Sequence, residues 1–187
     1  MGELAASAGS ADVLVSLGLG SCIGLALLDR RTGVAGLAHV VLPVSEGHTV
    51  GQNPLKFADR AVPELINRVV RLGGRKIKLE AVLVGGASMF AVTSGALEVG
   101  QRNEAAVREH LKTHRIPVIA HETGGNRGRT IRVYVADMRV TVREAGGKDA
   151  DLLSAQRGLV AGDDSPRGLA SLGAIAQGAI LPGKVMI

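Results

Sequence analysis

The chain of 187 residues holds one cysteine, Cys22, and five histidines, which narrows where nucleophilic chemistry could occur. Cys22 follows Leu17-Gly-Leu-Gly-Ser21 and opens a continuous apolar run to Leu28. An ordinary thiol, with a pKa near 8.5, is only about 3% thiolate at pH 7. Lowering that value by about two units raises the fraction to roughly three-quarters. A neighbouring imidazolium can supply such a shift, and the same ring can then protonate a departing amine and activate water. Gly18 and Gly20 let backbone approach a substrate, and amides near Ser21 and Cys22 could form part of an oxyanion hole. A lone cysteine in an apolar run also reads as a small buried hydrophobe, so the choice turns on a partner.

His39 is the candidate partner, and a hairpin decides whether it can meet the thiol. Cys22 to Leu28 and Val34 to Leu42 read as two strands joined by a turn at Asp29-Arg-Arg-Thr-Gly33. If the turn is a two-residue loop at Arg31-Thr32, Cys22 lies opposite Val41. His39, two residues away, then projects from the same face at a diagonal distance of roughly 7–8 Å. A three-residue turn changes the parity and sends His39 to the other face.

The remaining elements follow from pattern. Residues 1–11 read as a loose leader, Asp12 to Leu17 as a strand, and Pro43 to Asn53 as a loop. Asn53-Pro54 can start a helix whose apolar positions 55, 58, 62, 65, 66, 69 and 70 keep helical spacing. Pro63 should kink or divide that helix, and Gly73-Gly74 closes it. Leu79 to Val84 is a strand, and Gln101 to His114 a second helix with Ala105, Ala106, Val107 and Leu111 inward. Ile116 to Ala120, Thr130 to Val135 and Val140 to Arg143 read as further strands. The domain is thus expected over residues 12–147, with 148–187 an irregular, Gly-interrupted tail in which Leu169 to Ile180 could form a weak helix.

Composition excludes several classes. Hydrophobic residues make up 46% of the chain, aromatics 2%, and Trp is absent, so the core must be Val, Leu, Ile and Ala, suiting strands covered by helices. The one cysteine precludes an intramolecular disulfide and fits a reducing, cytoplasmic setting. Net charge is +5, densest at Arg68, Arg71, Arg75, Lys76 and Lys78. No aromatic interleaves that cluster, so it reads as a solvated helix face and not a nucleic-acid surface. The uncharged runs 13–28 and 81–97 are too short or too polar to span a membrane, and no basic residue precedes the first as a signal would require. Gly86-Ala-Ser88-Met-Phe90 misses the G-x-S-x-G nucleophile elbow. His110 and His114 lack a third metal ligand, and His48 and His121 read as polar surface.

Five blocks in order carry a resemblance: Leu17-Gly-Leu-Gly-Ser-Cys22, Ala38-His-Val-Val-Leu-Pro43, Gly85-Gly-Ala-Ser-Met-Phe90, Gly100-Gln-Arg-Asn103 and Thr123-Gly-Gly-Asn-Arg-Gly-Arg129. Together, from about Val13 to Gly147, they resemble the CheD family of chemoreceptor glutamine deamidases. The resemblance implies an α+β fold, a layered α/β/β sandwich akin to the catalytic domain of deamidating toxins. It implies Cys22 and His39 as the catalytic pair, a cytoplasmic monomer, chemoreceptors as substrates, a CheC-type phosphatase as a further partner, and no metal or organic cofactor. The family's third catalytic residue is a threonine. Ser16 stands in its place, keeping the hydroxyl and losing the methyl. Asn126 and Arg127 lie in the last block, whose glycines suit either backbone contacts to substrate or turns bearing solvated arginines. The alternative implied function is a non-enzymatic regulator that binds a CheC-type phosphatase, against which Cys22 and His39 both argue.

Overall fold

The computed structural model describes residues 2–46, 53–88, 99–154 and 184–187. The apolar run after Cys22 forms strand β3 (Ile23–Asp29), and its partner is β4 (Val34–Val40). Every residue of both strands is buried, because both faces of their sheet are covered. The pairing runs from Ile23↔Val40 to Asp29↔Val34 and places Gly24 opposite His39, the parity on which the sequence argument depends.

The first sheet adds β1 (Leu4–Ser7) outside β4, then β5 (Glu80–Gly85) and β6 (Val118–Thr123) on the far side of β3. The second sheet has the order β10-β2-β7-β8-β9, with β2 (Val13–Leu19), β7 (Arg129–Tyr134), β8 (Arg139–Glu144), β9 (Ala150–Leu153) and β10 (Lys184–Met186). Helices α1 (Ala58–Arg71) and α2 (Val99–Thr113) cover the first sheet.

Two apolar layers result. Ile23, Leu25, Leu27 and Leu83 face Val62, Leu65 and Val69 of α1 and Val107 and Leu111 of α2. On the opposite face, Ala26, Leu28, Leu37, Val82 and Val84 meet Leu14, Ile131, Val133 and Val140 of the second sheet. The layering is the expected α+β sandwich of helices, sheet and sheet.

Four expectations are corrected. Residues 4–7 are not loose: β1 pairs with β4 from Leu4↔Ala38 to Ser7↔Ala35, and Leu4 is buried. The short segment carries too little pattern to be read as a strand, and β4's open edge recruits it. Pro63 lies inside one unbroken helix; the division falls earlier, where a 3-10 turn (Pro54–Lys56, capped by the Asn53 side chain) hands over to α1 at Phe57. Only one helical bond is lost at a proline near the helix start, and burial of six side chains outweighs it. In α2, Ala105 is exposed and Asn103 takes an inward place beside Val107 and Leu111. Finally, the stretch after Gly147 supplies two strands, β9 antiparallel to β8 and β10 parallel to β2. His48, Met89, Phe90 and Leu169 to Ile180 lie outside the described residues.

The turn between β3 and β4 is pinned from outside. Asp29, 1% exposed, accepts from Arg75 Nε and Nη2 at 3.1 Å each, from the Arg75 amide at 2.9 Å and from the Arg31 amide at 3.1 Å. Burial by itself would raise its carboxyl, but these donors outweigh burial and hold it well below the usual carboxylate range. One member of the basic cluster is thus structural, and Arg68 likewise binds Glu64 and the Leu4 carbonyl. Asp29→Asn should cost about 2 kcal/mol of folding stability, because a half-exposed Arg75 loses its counter-charge. A carboxyl depressed in the folded state stabilises fully above the unfolded value of about 3.9 and loses that contribution as pH falls through the folded value. Denaturant midpoints should therefore show a constant gap between wild type and Asp29→Asn from pH 8 to 5 that narrows below about pH 4.

Candidate active site

His39 sits on β4 with its backbone amide donating to the Glu3 carbonyl at 2.9 Å, so β1 and its lead-in hold the strand from its open edge. The side chain turns toward the second sheet, where Ser16 Oγ lies 3.1 Å from Nδ1. Ser16 is 0% exposed and His39 5%. The pair therefore bridges the two sheets in a water-poor layer, where an orienting hydrogen bond is strengthened. The other ring nitrogen, Nε2, is buried and has no hydrogen-bond partner among the described residues. A buried polar atom left open in this way is expected where a ligand or reacting group completes the set.

Cys22 is half-buried and lies just before the first ladder pair, Ile23↔Val40. It packs against the inter-sheet core that contains Leu37, the next residue on His39's face. The thiol and the imidazole are thus on one side of the sheet, with Cys22 diagonal to His39 across the strand pair. Burial raises the thiol above its ordinary pKa and lowers the imidazole below its own. Desolvation thus works against both charged forms, and so against the imidazolium-assisted thiolate that the sequence suggested.

The backbone carrying Cys22 is held by its carbonyls. Gly20 O accepts from the Ala87 amide at 2.8 Å and Cys22 O from the Gly86 amide at 2.9 Å. Ser21 O accepts from Asn103 Nδ2 at 2.9 Å. Among the described residues, the amides of Ser21 and Cys22 have no acceptor. Gly85, at a φ of 114°, must be glycine: an added Cβ would stand 2.2 Å from the Cys22 carbonyl oxygen. The Gly18 bulge, between register positions Ser16 and Leu19 of β2, lets the chain turn from the second sheet toward Cys22.

Asn126 and Arg127 are exposed, and no hydrogen bond or ion pair among the described residues joins them to Ser16, Cys22 or His39. Their loop is nonetheless stitched to the Cys22 wall, with Gly125 O accepting from the Ser88 amide and Gly124 N donating to Gly85 O. Arg129 serves structure, binding Gly124 O, Glu122 and Glu144 while 7% exposed. Sequence reasoning missed Asn103. The signal available was a polar residue in a stripe at 103, 107 and 111, since a buried amide must be hydrogen-bonded. Among the described residues, no group of three or more potential ligands could hold a metal ion, and no helix is long and apolar enough to cross a membrane.

A family model described as CheD chemotactic sensory transduction matches residues 41–144, a span that stops short of Ser16, Cys22 and His39. A probable chemoreceptor glutamine deamidase CheD of Clostridium kluyveri is 43% identical over 142 residues, covering 75% of this chain and 88% of its own. Two from Clostridium botulinum, strains Eklund 17B and Alaska E43, are 43% and 44% identical, covering 73% and 71% of this chain and 86% and 83% of theirs. With the layered sandwich and this site geometry, the similarity over most of both chains makes this protein a member of the CheD family.

Proposed function

We propose that the chain is a chemoreceptor glutamine deamidase, converting glutamine side chains on chemoreceptors to glutamate with Cys22 as nucleophile. The Ser16–His39 hydrogen bond carries this reading: it orients the imidazole on the face of the sheet that Cys22 shares, with its second nitrogen open. With Nδ1 protonated and donating to Ser16 Oγ, Nε2 keeps its lone pair and serves as the base.

In the first step Nε2 takes the thiol proton as Sγ bonds to the glutamine Cδ, and the carbonyl π electrons move onto oxygen. The unengaged amides of Ser21 and Cys22, following Gly20, stabilise that oxyanion. Collapse of the tetrahedral species breaks the C–N bond, and the imidazolium gives its proton to the leaving nitrogen as ammonia departs. Water then attacks the thioester, losing a proton to Nε2. The C–S bond breaks, the thiolate recovers its proton, and the product is glutamate. No metal or organic cofactor enters this scheme. Asn126 and Arg127, exposed on the adjoining loop, contact the receptor surface. The protein acts as a cytoplasmic monomer, and a CheC-type phosphatase competes for the same face.

Cys22→Ala should abolish ammonia release from a purified chemoreceptor fragment, and His39→Ala should lower kcat by about 10²–10⁴-fold. Ser16→Ala should reduce kcat by roughly tenfold or more while Ser16→Thr retains it, because only the hydroxyl orients the ring. Full activity in Cys22→Ala would remove the proposed nucleophile.

The pKa directions set the pH dependence. A thiol raised by burial stays protonated, so iodoacetamide should alkylate free-enzyme Cys22 sluggishly at pH 6.5, with the rate climbing only above the ordinary thiol range of about 8.5. His39 must be neutral to act as base, and its pKa is lowered, so kcat/KM should persist below about pH 6.5 and fall only as the ring protonates. Rapid alkylation at pH 6.5 would instead mean a preformed ion pair.

A further inference from the structure

The β3–β4 ladder ends at Ile23↔Val40, just where the two chemical residues must be kept together. Beyond that pair the strands part company. The Val41 amide donates to Lys56 O at 2.8 Å, and the Ser21 carbonyl belongs to the turn before Cys22. No main-chain rung among the described residues joins these two ends.

Asn103 of α2 supplies the missing rung. Its Nδ2 donates to Ser21 O at 2.9 Å and to Val41 O at 2.8 Å. The first acceptor belongs to the residue next to Cys22, and the second lies two positions beyond His39. A single planar amide spends both its protons on these carbonyls, so their separation is fixed by the geometry of one nitrogen. The side chain is 0% exposed, and its Oδ1 has no partner among the described residues. Leaving a buried acceptor open is unfavourable, so the residue is not explained by its own satisfaction. Aspartate would set carboxylate oxygens against two carbonyl oxygens, and leucine would leave both carbonyls without a donor.

We propose that Asn103 is a positioning residue for the deamidation, clamping the Cys22 turn to the end of the His39 strand. The clamp rests on the deamidase reading above, and it acts through the two catalytic groups without touching substrate. Gly100, on the same helix, permits the approach, since a Cβ there would stand 2.4 Å from the Gly86 carbonyl oxygen.

The test compares wild type with Asn103→Ala and Asn103→Ser, each checked for folding by far-UV circular dichroism. In folded variants kcat for ammonia release should fall at least tenfold with KM within about twofold, because orientation is lost and binding is not. Iodoacetamide should meanwhile alkylate Cys22 faster at pH 7.5, since a released turn admits water to the thiol. General loss of structure would also free the thiol, but it would raise KM as well, so a KM held within about twofold separates the clamp from it. Folded variants with wild-type kcat and alkylation rate would overturn the clamp. The alkylation arm needs no receptor, so failure of the deamidase reading, seen as wild type releasing no ammonia, remains separate. Should both variants fail to fold, nitrogen-15 NMR of wild type decides: two slowly exchanging Asn103 amide protons support the clamp, and freely exchanging ones overturn it.

Discussion

The pairing of Gly24 with His39 across β3 and β4 is the constraint on which the site depends. Side chains alternate between faces with a period of two, so a one-residue slip would send His39 toward the helices. The observed register instead turns it toward Ser16 on the second sheet. That register is not left to the strand pair. Asp29 and Arg75 fix the turn, Glu3 holds the His39 amide, and Asn103 joins the two open ends.

Burial gives the site its second property. A serine and a histidine between two apolar sheets are shielded from water, which strengthens their hydrogen bond and disfavours charge on the ring. The same desolvation pushes the thiol pKa up. In the proposed reaction a bound amide supplies the carbonyl carbon, and the main-chain amides of Ser21 and Cys22 supply the oxyanion donors. Family membership and this geometry point the same way, although the matched span of the family model begins after His39.

Close backbone packing is the third element. Gly85 sits against the Cys22 carbonyl and Gly100 against the Gly86 carbonyl, positions where a methyl group has no room. These contacts bring the end of β5 and the start of α2 against the turn that carries Cys22. Three successive carbonyls, of Gly20, Ser21 and Cys22, are engaged as a result, and among the described residues the amides of Ser21 and Cys22 have no acceptor.

Much was legible before any coordinates. The continuous apolar run from Cys22 and the turn at Asp29-Arg-Arg-Thr-Gly33 predict the hairpin, and the helical spacing of apolar residues from Leu55 to Val70 predicts the first helix. The motif blocks carry the resemblance to the family, and the resemblance implies the layered fold. Tertiary structure alone decided the rest. Leu4–Ser7 becomes a strand only because β4 offers an open edge, and Lys184–Met186 only because β2 does. Asn103 closes one of the motif blocks, but its role appears only when two carbonyls distant in sequence are seen to take its protons. The protonation state of Cys22 and His39 likewise depends on how much water two packed sheets exclude, a property of the assembled layers that no spacing of residues encodes.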